Sequence, residues 1–114
     1  MTQAGGKLAD KYIEKISSER PDIKFFVMYG ATEATSRLTF LSPEELKDNI
    51  GSIGKAIPKV SIELLNEHGQ PVKRGDTGEI VASGENIMVG YLHNHEETIK
   101  VLKNGKLHTG DLAV

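Results

Sequence analysis

Two short strings in the sequence combine residue types suited to chemistry on a phosphorylated ligand. Tyr29-Gly30-Ala31-Thr32-Glu33 offers an aromatic face, a glycine that admits close backbone approach, a hydroxyl and a carboxylate. Those groups match a nucleotide: stacking for the base, hydrogen bonds for phosphate oxygens and a hard oxygen ligand for Mg²⁺. Thr109-Gly110-Asp111 again sets a glycine beside a carboxylate. A carboxylate accepts two hydrogen bonds at once, which is what a ribose diol requires. Taken alone, Tyr29 to Glu33 reads more readily as a strand exit with a buried Tyr and a solvated Glu. The surrounding elements must decide.

Lys7 to Arg20 has helical periodicity, with Leu8, Tyr12, Ile13 and Ile16 on one face and charged residues on the other; Pro21 and Asp22 mark its end. Lys24 to Tyr29 follows, centred on Phe25-Phe26-Val27-Met28, and reads as a buried strand of a parallel sheet for which no partner strand is evident upstream. The C-terminal edge of such a strand is where α/β proteins place ligands. Ser42-Pro43-Glu44-Glu45 carries a cap, a Pro at the first helical position and a Glu three residues after the cap, so a short helix is expected there. Beyond it, Val60 to Leu65 and Gly78 to Ser83 alternate as strands, with turns at Asn66 to Gly69 and Gly75 to Gly78. Asn86 to Leu92 reads as a third strand, Glu96 to Leu102 as a helix, Asn104-Gly105 as a tight turn and Lys106 to Thr109 as a short strand.

Composition narrows the classes. The 114 residues carry 14 Lys plus Arg against 16 Asp plus Glu, a net charge of -2, which argues against a nucleic-acid partner held by a strong positive field. There are no cysteines, so neither a disulfide framework nor thiolate chemistry enters. No apolar run reaches the roughly 20 residues of a membrane span and no signal-peptide pattern opens the chain, so a soluble cytoplasmic domain is expected. With 12 glycines and 5% aromatics, backbone-lined loops are expected over a core of Ile, Leu and Val. His93, His95 and His108 read as solvated rather than metal-binding, Lys100, Lys103 and Lys106 as a mild basic face, and Met88 and Tyr91 as core.

With its motifs taken in order, the chain resembles the adenylate-forming superfamily of acyl-CoA synthetases, luciferases and peptide-synthetase adenylation domains. Gly5-Gly6 is similar to that family's Gly-Gly turn before a helix, and Tyr29 to Glu33 to its YGxTE loop. Gly51 to Pro58 is similar to its G-x-x-G-x-x-x-P segment, Gly78-Glu79-Ile80 with Gly90-Tyr91-Leu92 to its GE[IL]…GY[LF] block, and Thr109 to Leu112 to its TGDL motif. Lys7 departs from the Ala-Pro that many acyl-CoA synthetases place after the Gly-Gly pair.

The resemblance implies an α+β fold: a helix–strand piece of the α/β core over residues 1–41, then a small distorted antiparallel barrel-like subdomain over 42–114. It implies that Tyr29 borders the adenine, with Gly5 and Gly6 on the pocket's other side. Thr32 would bond the reacting α-phosphate, Glu33 would hold Mg²⁺ and Asp111 would take the ribose hydroxyls, while Gly30 and Ala31 would edge the channel for the substrate acid. The implied activity joins a small carboxylic acid to AMP from ATP, then passes the acyl group to the thiol of CoA or of a carrier protein's phosphopantetheine. The family's Ser/Thr/Gly-rich phosphate loop and its C-terminal catalytic Lys have no counterpart among these residues, so the sequence is expected to be an internal piece of a longer ligase, inactive as an isolated chain. An amino-acid adenylation domain, or a stand-alone non-catalytic β-rich binding module, are the alternatives.

Overall fold

The computed structural model describes residues 1–114, which pack as two compact units. The first comprises Met1–Gly30 and Arg37–Ile57; the second comprises Ala31–Ser36 and Pro58–Val114. Residues 42–57, grouped with the second half by sequence, pack in the first unit because the strand at Lys55–Ala56 joins its sheet.

In the first unit, β1 (Thr2–Gln3) leads to α1 (Asp10–Glu19), β2 (Phe26–Tyr29), β3 (Thr39–Leu41), α2 (Pro43–Leu46) and β4 (Lys55–Ala56), with sheet order β1-β2-β3-β4. The upstream partner strand that the sequence did not reveal is β1, parallel to β2 with Thr2 opposite Phe26 and Gln3 opposite Val27. The next pairings, β2 with β3 and β3 with β4, are antiparallel, so the sheet is mixed rather than parallel. Ile13 of α1 closes on Phe25, Val27, Leu41 and Leu46 to form the core, with Leu8 and Ile16 packed against it. Tyr12 is instead half exposed, its ring beneath the Lys11 ammonium at 5.0 Å from the centroid. The expected cap of α2 is present: the Ser42 hydroxyl accepts from the Glu45 amide and also bonds the Glu45 carboxylate.

The second unit is an open antiparallel sheet of β5 (Val60–Leu65), β6 (Gly78–Gly84), β7 (Leu102–Lys103) and β8 (Lys106–Ala113), in the order β5-β6-β8-β7, with α3 (His95–Val101) before β7. Ala34, Leu65, Ile80, Val81, Ala82 and Leu107 are the buried apolar residues of this unit. The Asn66 side chain shapes the turn after β5 by accepting from the amides of His68 and Gln70. Asn104 and Gly105 both have positive φ, 52° and 75°, and close the two-residue hairpin between β7 and β8. Asn86 to Leu92 is not a strand. Its backbone is used in another way, described below.

One glycine in the first unit has no substitute. Gly54 has φ of +80°, and a Cβ there would lie 2.0 Å from the Phe40 carbonyl oxygen. Gly69, at φ +72°, has nothing within 4 Å of that position. Gly54→Ala should therefore cost about 3 kcal/mol or more, and Gly69→Ala only the intrinsic left-handed penalty of about 1–2 kcal/mol. Urea denaturation midpoints of the two variants check the order.

Candidate nucleotide-binding site

The candidate residues divide between the units. Gly5, Gly6, Tyr29 and Gly30 belong to the first; Ala31, Thr32, Glu33 and Asp111 belong to the second. In the first unit the parallel pairing of β1 and β2 brings Gly5-Gly6 and Tyr29-Gly30 out at the same edge of the sheet. That edge is the C-terminal one, where diverging loops leave room for a ligand. The Gln3 amide donates to the Gly6 carbonyl and so fixes the Gly-Gly turn from inside.

In the second unit Thr32–Ala34 form a single 3₁₀ turn. The next two residues, Thr35 and Ser36, are left-handed at φ 51° and 75°, a strained state, above all for the β-branched Thr35, that persists only where neighbours impose it. The neighbours are residues 86–88. The Thr35 hydroxyl donates to the Asn86 carbonyl at 2.8 Å, the Asn86 side chain donates to the Ala34 carbonyl at 2.9 Å, and the Met88 amide donates to the Glu33 carbonyl at 2.7 Å. Those groups would otherwise build a ladder. Here they strap the loop, which is why the apolar-rich stretch Asn86 to Leu92 is not a strand.

Glu33 is held from its side chain as well. The Tyr91 hydroxyl donates to Glu33 Oε1 at 2.5 Å. That bond, aided by the Glu33 backbone amide and opposed by partial burial, holds the carboxyl below the usual carboxylate range. The same bond to Glu33 pushes the Tyr91 phenol up, with burial adding to it. Tyr91 is itself fixed: its amide donates to the Thr98 hydroxyl at 2.9 Å, and that hydroxyl donates to the Asn94 carbonyl at 2.8 Å. Asn94 also caps α3 by accepting from the Glu97 amide. A support chain thus runs from the start of α3 to the Glu33 carboxylate.

Asp111 lies on an irregular stretch of β8. Glu79 pairs with Leu112 and Val81 with His108, so Thr109, Gly110 and Asp111 together face the single residue Ile80. Gly110 adopts φ +76° at the crest of this bulge.

Sequence reasoning named the glycines, Tyr29, Ala31, Thr32, Glu33 and Asp111, but not their supports Asn86, Tyr91 and Thr98. Tyr91, read as core from the sequence, is instead 37% exposed and turns its hydroxyl to Glu33; its place after Gly90 in a motif was the one hint.

Comparison with known proteins follows from this geometry. A model of the AMP-binding enzyme family matches residues 1–92, and the chain belongs to that family. It is 36% identical over 106 residues to a feruloyl-CoA synthase of an Amycolatopsis species, covering 93% of this chain and 20% of that protein. Over 90 residues it is 40% identical to a medium/long-chain fatty-acid–CoA ligase of Mycobacterium tuberculosis, covering 78% of this chain and 16% of that one. The chain thus spans a fifth or less of the length of these curated relatives. Among solved structures, o-succinylbenzoate CoA synthetase of Bacillus subtilis in complex with its acyl-adenylate intermediate superposes with a TM-score of 0.89 at 31% identity, over 97% of this chain and 22% of that chain. The same enzyme has also been solved with ATP and a magnesium ion.

The bond from Tyr91 yields a pH prediction. The fold depresses the Glu33 pKa, so its contribution to stability is present above the unfolded carboxyl value and is lost as pH falls through the depressed folded one. Tyr91→Phe removes the largest cause of the depression, and the Glu33 carboxyl should titrate at higher pH. A carbon-detected NMR titration of wild type and variant measures the midpoint; an unchanged value would contradict this assignment.

Proposed function

We propose that this chain supplies the nucleotide-facing part of an ATP-dependent acyl-adenylating ligase. The observation that carries the reading is the Glu33 carboxylate, fixed by the Tyr91 hydroxyl and directly preceded by Thr32, in a chain of the AMP-binding family. The reaction has two halves. An oxygen of the substrate carboxylate attacks the α-phosphorus of ATP and pyrophosphate leaves, giving acyl-AMP. A thiol, from CoA or from a carrier protein's phosphopantetheine, then attacks the acyl carbon and AMP departs. Both steps depend on positioning and on stabilising developing charge.

In this reading Tyr29 borders the adenine, with Gly5 and Gly6 opposite. Asp111 accepts from both ribose hydroxyls and Thr32 donates to an oxygen of the α-phosphate. Gly30 and Ala31 edge the acid's channel, where a larger side chain would crowd the acyl group. Glu33 suits Mg²⁺, because the ion is usually held by one or two carboxylates together with substrate phosphates, and the Tyr91 bond keeps this carboxylate ionised. When bound, Mg²⁺ would neutralise phosphate charge. The names of the relatives point to aromatic and fatty acids as the substrate class. ATP, CoA and carrier proteins meet in the cytoplasm, where we place the reaction. No helix of the chain is long and apolar enough to cross a membrane.

The test is acid-dependent pyrophosphate release by the full-length gene product with ferulate, octanoate and palmitate; release with none of these or a wider panel of acids would end the proposal. Glu33→Gln should lower kcat by about 10²-fold. The 114 residues alone should form no acyl-AMP.

A further inference from the structure

The bulge carrying Asp111 disrupts the ladder between β6 and β8, and side chains beside it take up its freed amides. Glu79 supplies one of them. Its Oε1 accepts from the Gly110 amide at 3.0 Å, and its Oε2 lies 2.8 Å from His108 Nδ1. Thr109 supplies the other: its hydroxyl accepts from the Asp111 amide at 3.2 Å and donates to the Ile80 carbonyl at 2.8 Å. The Glu79 and His108 side chains are 29% and 18% exposed, enough covered to lock each other's rotamers. A carboxylate accepting a backbone N–H is among the stronger hydrogen bonds, and this one acts on the residue immediately before Asp111.

We propose that Glu79, locked by His108, is a positioning residue that sets the Thr109–Asp111 bulge and thereby aims the Asp111 carboxylate at the nucleotide ribose. The inference rests on the reading of Asp111 as the ribose ligand. It also links two motifs that the sequence presents 31 residues apart: the Glu of Gly78-Glu79-Ile80 is there to shape Thr109-Gly110-Asp111. Glu79 acts through Asp111 and needs no contact with the ligand itself.

The experiment compares kcat/KM for ATP and for 2′,3′-dideoxy-ATP in the full-length gene product. Asp111→Ala should bring the two nucleotides close to equal; if it leaves their ratio unchanged, the ribose reading fails and this proposal with it. Glu79→Ala should raise KM for ATP about tenfold with kcat little changed, and reduce the same ratio. Glu79→Gln keeps an acceptor for the Gly110 amide and should restore most of the ratio. If Asp111→Ala equalises the nucleotides while Glu79→Ala preserves their ratio, the ribose reading stands and Glu79 has no positioning role. Should Glu79→Ala not fold, Glu79→Asp takes its place, since it retains the charge but shortens the reach to Gly110.

Discussion

A backbone amide or carbonyl that leaves a sheet ladder needs another partner, and the candidate-site loops of this chain are built around that requirement. Where the residue is buried, as at Ala34, leaving such a group unpaired would cost about 1–3 kcal/mol. Loops that must approach a ligand cannot remain regular, so each irregular stretch here carries its own partners. Asn86 and Thr35 serve the loop after β2. Thr109 and Glu79 serve the bulge on β8, and Gln3 serves the turn after β1. The polar side chains around the candidate site are in large part compensation for backbone that had to be bent.

Three carboxylates illustrate how environment divides labour among like groups. Glu79 faces inward and spends both oxygens on its own protein, one on Gly110 and one on His108. Its ionised form is favoured because the bonds from His108 and Gly110 outweigh the opposing effect of burial, the largest single influence on it. Glu33 has one oxygen engaged by Tyr91. Asp111 is exposed on a strand whose shape is set by others.

What the sequence made legible was whatever obeyed a local period or a short motif. The alternation of Val60 to Leu65 and of Gly78 to Ser83, the Ser42 cap and the Asn104-Gly105 turn are each decided within a few residues, and each is present. β1 was not legible because two residues carry no period, and β3 because Thr39–Leu41 is too short to alternate visibly. Asn86 to Leu92 misled because apolar residues there serve a strap rather than a ladder. The helix before β2 was foreseen, but its exposed Tyr12 was placed on the buried face because aromatic character alone does not fix the direction of a side chain. The candidate residues were visible as residue types. Their supports were not, because Glu33 and Tyr91 lie 58 residues apart and nothing local marks either as the partner of the other.

The chain passes between its two compact units three times, at Gly30, Ser36 and Ile57, and the middle excursion is the six residues Ala31–Ser36. The Tyr-Gly half of the loop motif folds with one unit and the Ala-Thr-Glu half with the other. No single cut can therefore excise either unit whole: a piece ending at Ile57 would leave Thr35 and Ala34 without Asn86, and a piece starting at Pro58 would leave Tyr91 without Glu33. A crossover anywhere within residues 31–57 would therefore divide at least one of the two units.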